Sequence, residues 1–467
     1  MQAIDELREL LGADAVLDQA GDMAPFLTDW RGRYTGRALA VAQPRSAGQV
    51  AEVVAWCARR GVPLVPQGGN TGLVGGATPD ASGEALVLST RRLRRMRAVD
   101  TANDTITVEA GCLLQEVQEA ALAHDRLFPL SLASQGSCTI GGNLATNAGG
   151  TQVLRYGNTR ELALGLEVVL PDGTVWDGLR GLRKDNSGYD LKQLFIGSEG
   201  TLGIITAATL RLFALPRARV ACLLGCADLA ACIALLAHAR AQAGPALTAF
   251  EVMSADCLRL VASLPARTRP LFAQHHDWLA LLEWSEPVDA AHAQAQCESL
   301  CAEALAMGLA QDAIVSLSLE DARSLWRLRE SIPEAQARSG GNVKHDISLP
   351  LAAMPAFLAE TQAALAALCP DLQSLVFGHL GDGNLHFNVA TRDGVPVTVA
   401  FERETAINAI VYAGVVRHGG SISAEHGVGQ LRRELAQRVK PAAEMAMMRA
   451  IKQALDPAGI MNPGKLI

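Results

Sequence analysis

The chain reads as an α+β fold in three parts: a two-part α/β domain over residues 1–217 with its core at about 36–215, an antiparallel-sheet domain backed by helices over 218–398, and a C-terminal helical segment over 399–467. Three observations lead there. A strand, helix, strand pattern occurs twice before Gly150, and each copy runs into a long glycine-rich stretch. Beyond Arg219 the glycine stretches stop, and apolar runs such as 278–284 and 314–319 alternate with alanine-rich helical patterns, as expected of an antiparallel sheet covered by helices. Finally, 467 residues exceed one ordinary domain.

The first α/β part begins at Ala38 as a strand. Ser46 with Gln49 three residues on forms a capping box, and Val50, Val53, Val54 and Cys57 fall on one helical face before Gly61 stops the helix. A short strand over 62–65 then enters Gln67-Gly68-Gly69-Asn70-Thr71-Gly72-Leu73-Val74-Gly75-Gly76. In the second part a strand over 105–110 and a helix over about 113–123 lead to Ser134-Gln135-Gly136-Ser137-Cys138-Thr139-Ile140-Gly141-Gly142-Asn143 and on to Asn147-Ala148-Gly149-Gly150. A strand pair over 167–175 turning at Asp172-Gly173, and a strand over 203–213, complete the domain, with Pro216 at its end.

Composition narrows the class of partner. The hydrophobic fraction of 49% and charged fraction of 19% suit a packed globular protein. A formal charge of −7 argues against nucleic acid or an anionic membrane, which need a basic surface. Asp5, Glu6 and Glu9 do not fit the basic start of a signal peptide, and no apolar run is read as long enough to span a bilayer, so a cytoplasmic location is expected. The ten cysteines include Cys222/Cys226 and Cys297/Cys301, spaced four apart rather than as zinc knuckles or redox pairs, and read as buried thiols in a reducing compartment.

Successive N–H groups in a glycine-rich turn can converge on an anion, because without Cβ atoms the backbone reaches positive φ and approaches closely. Two such turns, each after a strand, suit a pyrophosphate. Neither is a G-x-G-x-x-G fingerprint or a complete Walker loop, which disfavours nicotinamide and ATP. A third conspicuous segment is Gly197-Ser198-Glu199-Gly200-Thr201-Leu202-Gly203-Ile204-Ile205-Thr206.

With these segments the chain resembles the vanillyl-alcohol oxidase / p-cresol methylhydroxylase superfamily of flavoproteins along essentially its whole length. The resemblance implies that 1–217 is an FAD-binding domain, 218–398 a substrate domain, and 399–467 a segment completing the active site. It implies FAD on Gly68, Gly69, Asn70, Thr71, Gly72, Leu73, Ser134, Gly136, Thr139, Gly142, Asn143, Asn147 and Gly149, with Glu199, Gly200 and Ile205 toward the adenine and Asn462 from the C-terminal tail. Some relatives attach flavin through a histidine in the first loop; none lies between Val62 and Gly76, so FAD is expected to be non-covalent. Gln67 stands where many relatives carry arginine, leaving phosphate charge to backbone amides.

The sharpest local signal is Gly378-His379-Leu380-Gly381-Asp382-Gly383-Asn384-Leu385-His386-Phe387-Asn388. A two-residue turn at Asp382-Gly383 would set Leu380 opposite Leu385 and His379 opposite His386, with Cβ atoms roughly 4.5–5.5 Å apart. Asn388 would share that face. Ser423-Ala424-Glu425-His426-Gly427-Val428-Gly429 supplies a third ligand; two histidines and a carboxylate suit catalytic zinc, with manganese or iron open by ligand type.

These residues narrow the resemblance to the D-2-hydroxyacid dehydrogenase branch, which includes D-lactate and D-2-hydroxyglutarate dehydrogenases and the glycolate oxidase flavoprotein subunit. It implies His379, His386 and Glu425 as metal ligands and His426 as catalytic base. Arg329, Lys344 and Asn388 fall at substrate-binding positions, arginine being suited to a carboxylate by its planar fork. Pro333 stands where some D-2-hydroxyglutarate enzymes have threonine, which puts one distal carboxylate contact in question. The expected reaction is oxidation of a small D-2-hydroxy acid to the 2-oxo acid, with hydride passing to flavin N5. Expected partners are an electron acceptor such as electron-transfer flavoprotein, quinone or cytochrome, and a second copy in a homodimer. Alternatives are a glycolate oxidase subunit and a non-redox relative such as alkyl-dihydroxyacetone-phosphate synthase.

Overall fold

In the computed structural model, which describes residues 2–264, 271–286 and 289–467, the chain divides into two units. The first comprises Met1–Gly149, Gly157–Leu215 and Glu425–Ile467; the second comprises Gly150–Tyr156 and Pro216–Ala424. The stretch 399–467, expected as one segment, is therefore shared: its first helices pack in the second unit, and from Glu425 onward it belongs to the first.

The first unit carries two main sheets. In one, Ala40–Ala42, Leu86–Ser89 and Leu64–Gln67 are parallel neighbours in that order, with Val16–Leu17 antiparallel on the outer side of Ala40–Ala42. The helix Ala47–Arg60 makes the crossover, and its face of Val50, Val53, Val54, Trp56 and Cys57 buries against Leu64, Leu86 and Leu88. Ser46 accepts the Gln49 N–H at 3.2 Å, but the Gln49 side chain accepts from the Arg45 N–H at 2.8 Å rather than from Ser46, so the capping box is displaced by one residue. The other sheet, ordered Met96–Asp100, Thr105–Glu109, Ile204–Arg211, Ala163–Val169, Val175–Gly178, is antiparallel throughout. Here the sequence pattern misleads: Thr105–Glu109 is half of a hairpin with Met96–Asp100, so the helix Leu114–Leu122 after it is not a parallel crossover.

The second unit is built on one seven-stranded antiparallel sheet. Its order is Asp312–Val315, Ala218–Cys226, Trp278–Glu286, Leu247–Ser254, Leu372–His379, Asn384–Thr391, Asp346–Ser348. Alternation along Ala218–Cys226 separates two faces. Ala221 and Leu223 join a core with Met253, Leu281, Phe377 and the helices Ala255–Ala262 and Leu319–Glu330. The strand expected over 314–319 stops at Val315, because Ser318 accepts the Asp321 N–H and starts a helix at Leu319.

One segment, Leu351–Leu368, meets the length and apolarity of a membrane span, contrary to the expectation that none would. Within the unit its buried stripe of Met354, Phe357, Thr361 and Leu365 has helical spacing, and Gly414 of the helix Glu404–Arg417 packs on Phe357 and Thr361.

Candidate active site

In the first unit the glycine loops wall a cavity of about 950 Å³ including its open mouth. Gly68, Gly69, Asn70, Thr71, Gly72, Thr139, Gly142, Asn143, Glu199, Gly200 and Ile205 line it, joined by His426. Leu73, Ser134, Gly136, Asn147, Gly149 and Asn462, also singled out in the sequence, do not line it. Asn147 instead ends the helix Ile140–Thr146 in the left-handed region and accepts the Arg160 N–H. Asn462 donates to the carbonyls of Gly76 and Glu199 at 2.9 and 2.7 Å and so ties two loops together.

The first loop is glycine-rich because the second presses on it. A Cβ at Gly68 would lie 2.3 Å from Thr139 Oγ1, and one at Gly69 would lie 2.2 Å from the Ser137 carbonyl. Among the described residues, the N–H groups of Gly69, Asn70, Thr71 and Gly72 donate to no protein acceptor. Such amides suit an anionic ligand. Gln67 is buried at their root; its Nε2 donates to Phe26 O and Ala77 O at 2.9 and 2.8 Å, so it braces the loop, and its Oε1 is a buried acceptor with no protein donor.

Sequence reasoning passed over Arg91. Its Nε and Nη2 donate to the Gly68 and Gly69 carbonyls at 3.2 and 3.0 Å, and its guanidinium sits over the Phe26 ring at 5.4 Å. Pinning those carbonyls fixes the peptide planes whose N–H groups form the cradle. Arg91→Ala is expected to weaken binding of added FAD to apoprotein about tenfold, equivalent to about 1.4 kcal/mol. Flavin fluorescence titration reads this, and an unchanged dissociation constant would show the clamp to be idle.

Glu199 lines the cavity, yet its carboxylate is spent on the His426 loop. It accepts the N–H groups of Val428 and Gly429 at 2.7 and 2.8 Å. Burial pushes its carboxyl pKa up, against those two hydrogen bonds. Gly427 and Gly429 both have positive φ, and a Cβ at Gly429 would lie 2.3 Å from the Val74 carbonyl, so only glycine lets the chain curl around the glutamate. His426 is held at the start of that curl.

The second unit contains the histidine hairpin. The observed register sets Phe377, not His379, opposite His386, and a short helical turn over Leu380–Asp382 replaces the two-residue loop. The slip is of two residues. Since strand faces alternate with period two, both histidines stay on one face. Their ring centroids lie 5.5 Å apart at an interplanar angle of 79°.

Each histidine also faces a carboxylate on the next strand. Glu251 is the cross-strand partner of His379 and Asp346 that of His386. His379 Nδ1 lies 2.5 Å from Glu251 Oε1, and His386 Nδ1 lies 3.9 Å from Asp346 Oδ1. The Glu251 carboxylate behind His379 Nδ1 fixes that tautomer and turns Nε2 into the ligand nitrogen, the usual support of a metal-binding imidazole; the Asp346–His386 contact at 3.9 Å is an ion-pair contact rather than a hydrogen bond. Burial pushes Glu251 up, but the charges and hydrogen bonds of His379 and Arg329 prevail and hold it at about 2. Neither carboxylate was picked out from the sequence; the only trace of Glu251 is a charged residue inside the apolar run Ala249-Phe250-Glu251-Val252-Met253.

The substrate candidates fare unevenly. Arg329 is 7% exposed, so it is no solvated surface charge; its Nε donates to Glu251 at 2.7 Å and its guanidinium lies over Phe377 at 4.7 Å. One edge of the expected carboxylate fork is therefore occupied. Asn388 is buried, donating to Gln336 at 3.0 Å and accepting the His345 N–H at 3.3 Å. Lys344 is exposed. Pro333 occupies the first turn of the helix Ile332–Arg338, where its missing N–H costs nothing. Glu425 follows Ala424, whose N–H reaches the Asp346 carbonyl at 3.3 Å.

Comparison with known proteins gives the family. Residues 215–466 match the model for FAD linked oxidases, C-terminal domain, and residues 38–178 match the FAD binding domain. The chain belongs to the FAD-linked oxidase family. It is an FAD-dependent oxidoreductase. Among its relatives in that family, D-2-hydroxyglutarate dehydrogenase of Xanthomonas citri pv. viticola is 41% identical, over 98% of this chain and 96% of the relative. The mitochondrial D-2-hydroxyglutarate dehydrogenase of Bos taurus is 38% identical, over 97% of this chain and 81% of its own. A putative mitochondrial D-lactate dehydrogenase of Schizosaccharomyces pombe is 35% identical, over 98% and 86%. The solved structure of p-cresol methylhydroxylase with substrate bound shares the fold, with a TM-score of 0.78 at 16% identity over 100% of this chain and 96% of that one. For this family the cradle of undonated amides and the absence of a first-loop histidine fit a flavin held by hydrogen bonds.

Proposed function

We propose that the enzyme oxidises a D-2-hydroxy acid to the 2-oxo acid, with D-2-hydroxyglutarate as the preferred substrate, and that a divalent ion, zinc by preference, assists. The observation that carries this reading is the pair His379 and His386 on one sheet face, with a carboxylate hydrogen-bonded behind His379, a donor set that suits an open metal site. Relatives named for D-2-hydroxyglutarate over nearly the full chain support the substrate.

FAD, when bound, supplies the two-electron acceptor for the C2 hydrogen. His426 takes the hydroxyl proton as general base, held in the flavin cavity by the Gly427-Val428-Gly429 curl on Glu199. His379 and His386, with Glu425 as third ligand, would hold the ion, which would supply Lewis acidity at the hydroxy-acid oxygens. Arg329 and Lys344 supply positive charge for the substrate carboxylates, with Asn388 as a further polar contact. Reoxidation falls to an acceptor of the electron-transfer flavoprotein, quinone or cytochrome class. Ten free thiols are consistent with the cytoplasm or another reducing compartment.

His386→Ala is expected to lose bound metal, measured by elemental analysis, together with at least a hundredfold in turnover, while keeping FAD. Full activity in a metal-free variant would make the pair structural. Pro333 favours a second reading, D-lactate, since it offers no hydrogen bond to a distal carboxylate. The ratio of kcat/KM for D-2-hydroxyglutarate over D-lactate decides: above one upholds the preferred substrate, below one reverses it.

A further inference from the structure

The sheet face opposite the Met253 and Phe377 core carries sulfur. Cys222 projects from the strand Ala218–Cys226, and Cys297 and Cys301, one turn apart, lie on the buried face of the helix Ala290–Ala306. Their three Sγ atoms all lie within 4.8 Å of one another. Cys222 and Cys297 are fully buried and Cys301 is 4% exposed.

We propose that Cys222, Cys297 and Cys301 form a three-thiol site that takes up one trivalent, thiophilic metalloid ion of the arsenite type. Three observations carry it. The sulfurs converge from two separate elements, so the set is three-sided rather than a row along one helix. Bonds of about 2.3 Å to a pyramidal trivalent centre set three sulfurs about 3.5 Å apart, so the existing sulfurs, all within 4.8 Å of one another, close on it by a short movement. The surroundings select the charge: the helix face is completed by Ala293, Leu300 and Ala304, and the charged neighbour acting on the thiols is the anion Glu298. A divalent ion on three thiolates would bury a net negative charge there, at a cost. A trivalent centre gives a neutral complex. The step is a redox-neutral condensation, As(OH)3 with three thiols giving As(SR)3 and three waters, so each S–H proton leaves in water.

Among the described residues Cys226 and Cys232 belong to no three-ligand group, which makes Cys226 a control.

The test uses flavin-loaded enzyme, reduced with a phosphine and titrated with sodium arsenite. Native electrospray mass spectrometry counts arsenic per chain, and the thermal midpoint follows occupancy, because an ion that binds only the folded state stabilises it. One arsenic per chain at stoichiometric addition, lost or weakened at least tenfold in Cys297→Ala and in Cys301→Ala but kept in Cys226→Ala, is the expected result. Both helix variants introduce alanine, the best helix former, and retained flavin certifies their fold. No uptake by the parent, or equal uptake by Cys297→Ala and Cys301→Ala, would overturn the proposal.

Discussion

A His426→Ala variant is expected to bind FAD as tightly as the parent and retain its metal, yet lose roughly 10²–10⁴ in the rate of flavin reduction by substrate, the range of a positioned acid–base group. The reason is local. His426 lines the flavin cavity, and the loop that presents it is fastened to Glu199 through the Val428 and Gly429 N–H groups. Truncation therefore removes the proposed proton acceptor and leaves the two Glu199 hydrogen bonds to the curl in place. Because such a loss acts on the chemical step, kcat should fall with little change in KM. Stopped-flow reduction with the flavin absorbance as signal gives the rate directly. A loss below tenfold would hand the base to another group.

The second large effect concerns stability. Glu251→Gln removes the carboxylate shared by Arg329 and His379, all three side chains being buried. A buried guanidinium left without its counter-charge costs about 3–5 kcal/mol, which for a unit of this size lowers the thermal midpoint by roughly 6–20 °C. The double variant Glu251→Gln, Arg329→Met should recover part of that loss, since replacing both partners by groups of similar volume is far cheaper than removing one. Metal affinity should not recover with it, because a neutral amide replaces the carboxylate behind His379 Nδ1. Differential scanning calorimetry and metal content separate the two readouts. An unchanged midpoint in the single variant would mean that water replaces the carboxylate.

What was legible from the sequence divides along physical lines. Local chemistry read well. Glycine stretches announce a backbone that must approach something, and here Gly68 and Gly69 are required by Thr139 and Ser137. The histidine pair was legible even though its register was not, because a two-residue slip preserves the face. Long-range partners were not legible. Glu251 lies 128 residues from His379 and Glu199 lies 229 from Val428; nothing in the spacing of either announces the meeting. Arg91 and the Cys222 cluster were missed for the same reason, as each is assembled from elements adjacent only in the folded unit. The antiparallel second sheet of the flavin unit was misjudged because a strand followed by a helix looks alike in a crossover and after a hairpin.

The most direct measurement is anaerobic mixing of the flavin-loaded enzyme with the two enantiomers of 2-hydroxyglutarate, in parallel with and without a metal chelator. Bleaching of the flavin band is expected with the D enantiomer alone, at a rate that chelation lowers at least a hundredfold. No bleaching by any D-2-hydroxy acid, D-lactate included, would contradict it.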